Sequence, residues 1–227
     1  TVGIVSQAYG RSDYREIVKT LFRNMIIALI VAFFILIFLP IIKIAITNFF
    51  SVSDDTNYLI NIYLNIRIFS VPAELIIYIL IGFYLGIQKT KISSLLVIIL
   101  SSLNIVLSSF LVLSFNLKIA GVAIGTLLAS YLTLSIFLIF TYKFIIKKFK
   151  IIPKFENLIV RSKILKLLNI NFDIFLRTLF LTFAFSWITY LGSKIGEDYL
   201  AVNIILMQFI ILSSFFLDAY AFSTEGI

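Results

Sequence analysis

Six apolar runs, each near the roughly 20 residues that cross a hydrocarbon core as an α-helix, constrain this chain more than any motif in it. They lie near 21–46, 64–88, 92–115, 119–146, 172–195 and 199–224. Inside lipid the backbone must satisfy its own hydrogen bonds, so such runs are helical. The connectors between them carry turn chemistry: "SVSDDTN" at 51–57, "QKTK" at 88–91, "FNLKIAG" at 115–121, "KKFKIIPKFENLIVRSKILK" at 147–166 and "GSKIGED" at 192–198. A composition that is 61% hydrophobic and 13% charged, with a mean hydropathy of +1.11, excludes a soluble domain. The expected fold is all-α, a polytopic membrane helical bundle with six complete spanning helices and, in the first ten residues, the end of a seventh. The opening on Thr1 and the ending at "AFSTEGI" fit a fragment of a longer chain.

Charge placement orients the bundle. Arg11, Arg15, Lys19 and Arg23, then Lys89 and Lys91, then the eight basic residues from Lys143 to Lys166 fall on one side. The opposite side has Lys43, Lys118 and Lys194 beside Asp54, Asp55, Glu197 and Asp198. The positive-inside rule makes the first side cytoplasmic. Residues 1–146 then form one lobe, 147–171 a basic, amphipathic cytoplasmic linker, and 172–227 the start of a second lobe. The net charge of +8 is explained by orientation, and no aromatic-interleaved basic motif points to nucleic acid.

The chain contains no cysteine and no histidine, which removes disulfides, thiol chemistry, haem ligation and the usual zinc sites. No nucleophile–base pair stands out. A metal site, an organic cofactor and an enzymatic activity are therefore not expected.

Ionisable groups at membrane depth are costly and mark function by default. Six are placed there: Arg67, Glu74, Asp173, Arg177, Asp218 and Glu225. Arg67 and Glu74 are seven apart, on nearly one helix face but about 10.5 Å along the axis, so the expectation is a shared stripe without contact. Pro72 between them removes a backbone hydrogen bond and frees a carbonyl for a neighbouring helix or water. Asp173 and Arg177 have the four-residue spacing of a direct ion pair. Arg67, Asp173 and Arg177 are read as structural charges, with Arg67 and Asp173 near enough to span ends to snorkel. Glu74 and Asp218 lie deeper, as cavity-lining candidates, with Glu225 spaced seven beyond Asp218. Asn104, Asn203 and Gln208 are candidate interhelical hydrogen-bond partners, and "GFYLG" at 82–86 and "GVAIG" at 121–125 are small-residue packing patterns.

The segments "NIRIFSVPAELIIYILIGFYLGIQKTK", "LNIVLSSFLVL" and "KIAGVAIGTLLASY" resemble the fourth to sixth helices of the multidrug and toxic compound extrusion family, especially its DNA-damage-inducible subfamily. "NFDIFLRTLFLTFAFSWITYLGSKIGEDYLAVNIILMQFIILSSFFLDAYAFSTEGI" resembles its seventh and eighth helices, and "TVGIVSQAYGRSD" the end of its second. The resemblance implies part of a two-lobed, twelve-helix exporter of the cell inner membrane, acting as a monomer. It implies alternating access, with H+ or Na+ exchanged for a small organic, typically cationic, substrate. Glu74, Asn104, Ser108, Asn203, Gln208, Asp218 and Glu225 are the candidates for the substrate or ion path. Ser108 stands where many members carry an aspartate in the fifth helix, and Thr182 is the most polar group where sodium-coupled relatives carry a glutamate in the seventh. Two other functions stay open: a lipid-linked oligosaccharide flippase of the same superfamily, which calls for more intramembrane arginine and lysine, and a non-transporting membrane scaffold, which needs no buried carboxylates.

Overall fold

The structure, a computed structural model, describes residues 2–50, 54–150 and 161–225. They form α1 (Val2–Gly10), α2 (Tyr14–Phe50), α3 (Asp54–Arg67), a 3₁₀ turn (Ile68–Ser70), α4 (Val71–Gly86), α5 (Thr90–Phe115), α6 (Lys118–Phe144) with a π-helical end (Ile145–Phe149), α7 (Arg161–Ile195) and α8 (Glu197–Glu225). Among these residues six segments are long and apolar enough to cross a membrane: Tyr14–Ile44, Asn57–Gly86, Thr90–Phe115, Lys118–Phe149, Phe175–Gly192 and Ala201–Asp218. The polytopic helical bundle expected from the apolar runs is therefore what the chain forms. It divides into two compact units, Thr1–Leu158 and Ile159–Ile227.

The connectors are shorter than the sequence suggested. α2 is capped where Asp13 Oδ1 accepts the Glu16 N–H at 3.0 Å, the usual use of an aspartate at this position. Between α4 and α5 the reversal needs only Gln88 in the left-handed region (φ 59°), with Lys89 N–H donating to Tyr84 O at 2.8 Å. Residues 54–57, expected in a connector, open α3, and 161–171, expected in the linker, are the first three turns of α7. Both stretches are studded with polar residues, and outside the hydrocarbon a helix needs no apolar run. The rest of that linker, 151–160, lies outside the described residues.

In the first unit the core is built where α1, α2, α4, α5 and α6 converge. Val5, Ile17, Leu21, Ile77, Leu80, Phe83, Tyr84, Leu96 and Phe137 pack there. The Tyr84 hydroxyl, buried with them, shares a 2.8 Å hydrogen bond with Thr141 Oγ1 on α6. α5 and α6 make the most extensive helix pair, and the small residues of "GVAIG" explain its closeness: a Cβ on Gly125 would lie 2.6 Å from the backbone N and Cα of Ser108. Gly86 of "GFYLG" lies against Val5 in the same way, joining α4 to α1. In the second unit α7 and α8 pack on each other and leave large apolar side chains outward, Phe180, Phe209 and Phe216 among them. Such a surface suits lipid or further helices rather than water.

Candidate functional site

The second span is the one that breaks. After Arg67 the α-helix tightens into the 3₁₀ turn and restarts with Pro72 in the first turn of α4. Pro72 has no N–H to give to Ile68 O, and Val71 N–H takes that carbonyl instead in 3₁₀ geometry. The expected freed carbonyl is therefore satisfied locally at Ile68. At the next residue, however, Phe69 O accepts the Tyr131 hydroxyl of α6 at 3.0 Å, so a neighbouring helix does cover the break.

The break positions an ion pair. Arg67 Nη1 lies 2.6 Å from Glu74 Oε1, and Arg67 Nη2 donates to Glu74 Oε2 at 3.0 Å. This corrects the expectation that a seven-residue spacing keeps the two apart: the long arginine side chain runs along the axis and closes the gap. The same spacing closes in α2, where Arg23 Nη1 donates to Glu16 Oε1 at 2.8 Å. Arg23, counted from sequence among the cytoplasmic connector charges, is only 3% exposed and sits beside buried Thr20 and Asn24. An acidic residue seven positions away was the available signal in both cases.

Glu74 is held by two side chains. Besides Arg67, the Ser130 hydroxyl of α6 is 3.2 Å from Oε1, and the same hydroxyl is 2.9 Å from Thr126 O as its alternative acceptor. Arg67 in turn donates to Ser70 Oγ, whose own hydroxyl returns to Arg67 O at 2.6 Å. Around this pair opens a cavity of about 330 Å³ between the broken span, α5 and α6. Its polar lining is Arg67, Glu74, Ser101, Asn104, Thr126 and Ser130, and its apolar lining is Ile77, Tyr78, Leu100 and Ile105. Ser101, Thr126 and Ser130 are lining groups that the sequence did not single out, because hydroxyl residues in a span usually bond their own helix, as Thr126 and Ser130 also do here.

The structure brings two of the sequence-derived candidates together, Glu74 and Asn104, with Arg67 between charge and cavity. Ser108 is not in the cavity lining; it lies under Gly125 at the α5–α6 contact, its hydroxyl 3.4 Å from Asn104 Oδ1. The remaining candidates are in the second unit. Asn203 of α8 has a buried side-chain N–H₂ with no partner among the described residues, whereas Gln208 and Asp218 are exposed. Glu225 is the last residue of α8, and its side chain lies outside the described residues. Asp173 and Arg177 are both exposed on α7, and no ion pair joins them among the described residues. Four-residue spacing permits a pair without compelling one when neither side chain is held by neighbours.

Comparison with known proteins follows the same lines. Residues 1–110 match the MatE family model. Over all 227 residues the chain is 34% identical to the DNA damage-inducible protein F of Escherichia coli (strain K12). It spans 49% of that relative's length, so about half. The likeness takes in all six spans, makes the chain a multi-pass membrane protein, and agrees with the resemblance carried by "NIRIFSVPAELIIYILIGFYLGIQKTK" and the segments after it. The first 110 residues thus carry the match to the MatE family model, and the whole chain carries the likeness to this relative.

Proposed function

We propose that the chain works as part of a secondary active transporter of the cell inner membrane, a monomer that exports small organic compounds in exchange for H+ or Na+ by alternating access. The observation that supports this best is the end-to-end similarity to a MatE relative. The structure adds an apolar-walled cavity with convergent polar groups inside one unit, as small-molecule sites have. Because Glu74 is already neutralised by Arg67, we assign recognition of a cationic substrate or coupling ion to the carboxylates of the second unit, Asp218 and Glu225. The test is reconstitution of the full-length gene product in liposomes. A lipophilic cationic dye should move when either a proton or a sodium gradient is imposed. Movement of a lipid-linked sugar with no dye movement under either gradient would favour the flippase instead.

Two further outcomes belong to this proposal. Asp218→Asn should cut dye efflux at least fivefold while the protein remains folded, and Asp173→Asn should leave efflux within twofold, since Asp218 lies within the apolar stretch Ala201–Asp218 whereas Asp173 lies outside the apolar stretch of its own helix, Phe175–Gly192. Equal losses in both would remove Asp218 from the path. For orientation, the absence of cysteine permits single cysteines to be placed at will. An impermeant thiol reagent on intact cells should label position 54 and spare position 150; the reverse pattern inverts the topology.

A further inference from the structure

Arg67 and Glu74 are the charged groups in the lining of the first unit's cavity, and each neutralises the other. A cation drawn to Glu74 meets Arg67 bonded to both oxygens of the same carboxylate, the geometry in which a carboxylate holds a cation best. Displacing that guanidinium would leave an uncompensated positive charge inside a membrane span. An anion faces the mirror problem. What the cavity does offer is hydrogen bonding. Among the described residues the Asn104 amide is engaged by Ser108 alone, across 3.4 Å, and the hydroxyls of Thr126 and Ser130 spend their protons on oxygens nearby while keeping lone pairs as acceptors. Tyr78, Leu100 and Ile105 supply apolar lining.

We infer that this cavity binds electroneutral organic ligands that carry hydrogen-bond donors and acceptors on an aromatic or apolar body, that it rejects organic monocations, and that Arg67 is the residue that sets this selection. The inference rests on the proposed transport role only for the ligand's origin. Equilibrium binding needs no gradient, so it succeeds or fails separately from transport.

A matched pair of probes isolates charge from shape: phenylurea, which is neutral, and phenylguanidinium, which is nearly isosteric and positively charged. Both are small enough for a cavity of about 330 Å³. Binding to the detergent-solubilised full-length protein is followed by saturation-transfer NMR and by titration calorimetry. The wild type should prefer phenylurea by at least tenfold. Arg67→Gln should reverse the preference by exposing Glu74, and the paired variant Arg67→Gln, Glu74→Gln should restore it, because both faces are then neutral. If Arg67→Gln does not fold, Glu74→Gln serves in its place: with Arg67 uncompensated, the cavity should gain affinity for benzoate at least fivefold and lose phenylguanidinium further. The inference is overturned if the wild type binds phenylguanidinium as tightly as phenylurea, or if a folded single variant, Arg67→Gln or Glu74→Gln, keeps the wild-type ratio.

Discussion

Gly125→Leu is expected to reduce the yield of monodisperse protein at least tenfold, with no change elsewhere in the chain. A side chain at this position has nowhere to go. Its Cβ would lie 2.5 Å from Ser108 Oγ and 2.6 Å from Ser108 N and Cα, so the obstacle is the backbone of α5 rather than a movable side-chain tip. Relief requires separating α5 from α6, the most extensive helix contact in the first unit. Even Gly125→Ala should cost on the order of 1–3 kcal/mol, the range for overpacking a close contact. Alanine at Gly3, where an added Cβ meets nothing within 4 Å, is the internal control and should behave as wild type. Fluorescence-detected size exclusion after graded heating ranks the three variants. A leucine variant with wild-type recovery would mean that α5 and α6 do not approach as closely as the structure has them.

The second large effect is expected from Glu74→Ala. The variant removes the carboxylate that engages both terminal nitrogens of Arg67, which is about one-quarter exposed, and leaves the guanidinium with Ser70 Oγ and the Tyr63 side chain. Stranding one member of a largely buried pair costs on the order of 3 kcal/mol. It also removes the acceptor for Ser130, although that hydroxyl retains Thr126 O. Heat inactivation half-life is the suitable reading, because membrane proteins commonly unfold irreversibly. Glu74→Gln should lose less, since its amide oxygen still accepts from Arg67. An alanine variant as durable as wild type would make the pair an ornament of the helix surface.

How much of this was legible in the sequence depends on whether the cause was local. The spans were legible because lipid imposes both length and apolarity on each run, and the break near Pro72 was legible because proline has no N–H to give. The starts of α3 at Asp54 and of α7 at Arg161 were not, since "DDTN" and "RSKILK" read equally well as connectors once they leave the hydrocarbon. At the site, Glu74 and Asn104 announced themselves as polar groups in apolar runs. The union of Arg67 with Glu74 was misread because axial rise was weighed without the reach of the arginine side chain. The hydroxyls of Ser130 and Tyr131 lie 56 and 62 residues from their partners, Glu74 and Phe69, and nothing local in "ASYLT" points to them. Ser108 shows the converse case: an alignment-like position suggested a place in the ion path, whereas packing against Gly125 gives it a structural neighbour.

Whether Glu74 is a neutralised carboxylate or a free one is tested most directly by a double-mutant cycle over Arg67→Gln and Glu74→Gln. Thermal stability of the full-length protein is measured for wild type, each single variant and the double variant. If the two groups are paired as the structure shows, the double variant should be more stable than the less stable single variant, with a coupling energy above about 1 kcal/mol. Single-variant losses that simply add, to within about 0.5 kcal/mol, would contradict the pairing and return Glu74 to the role of an unpartnered carboxylate open to a cation.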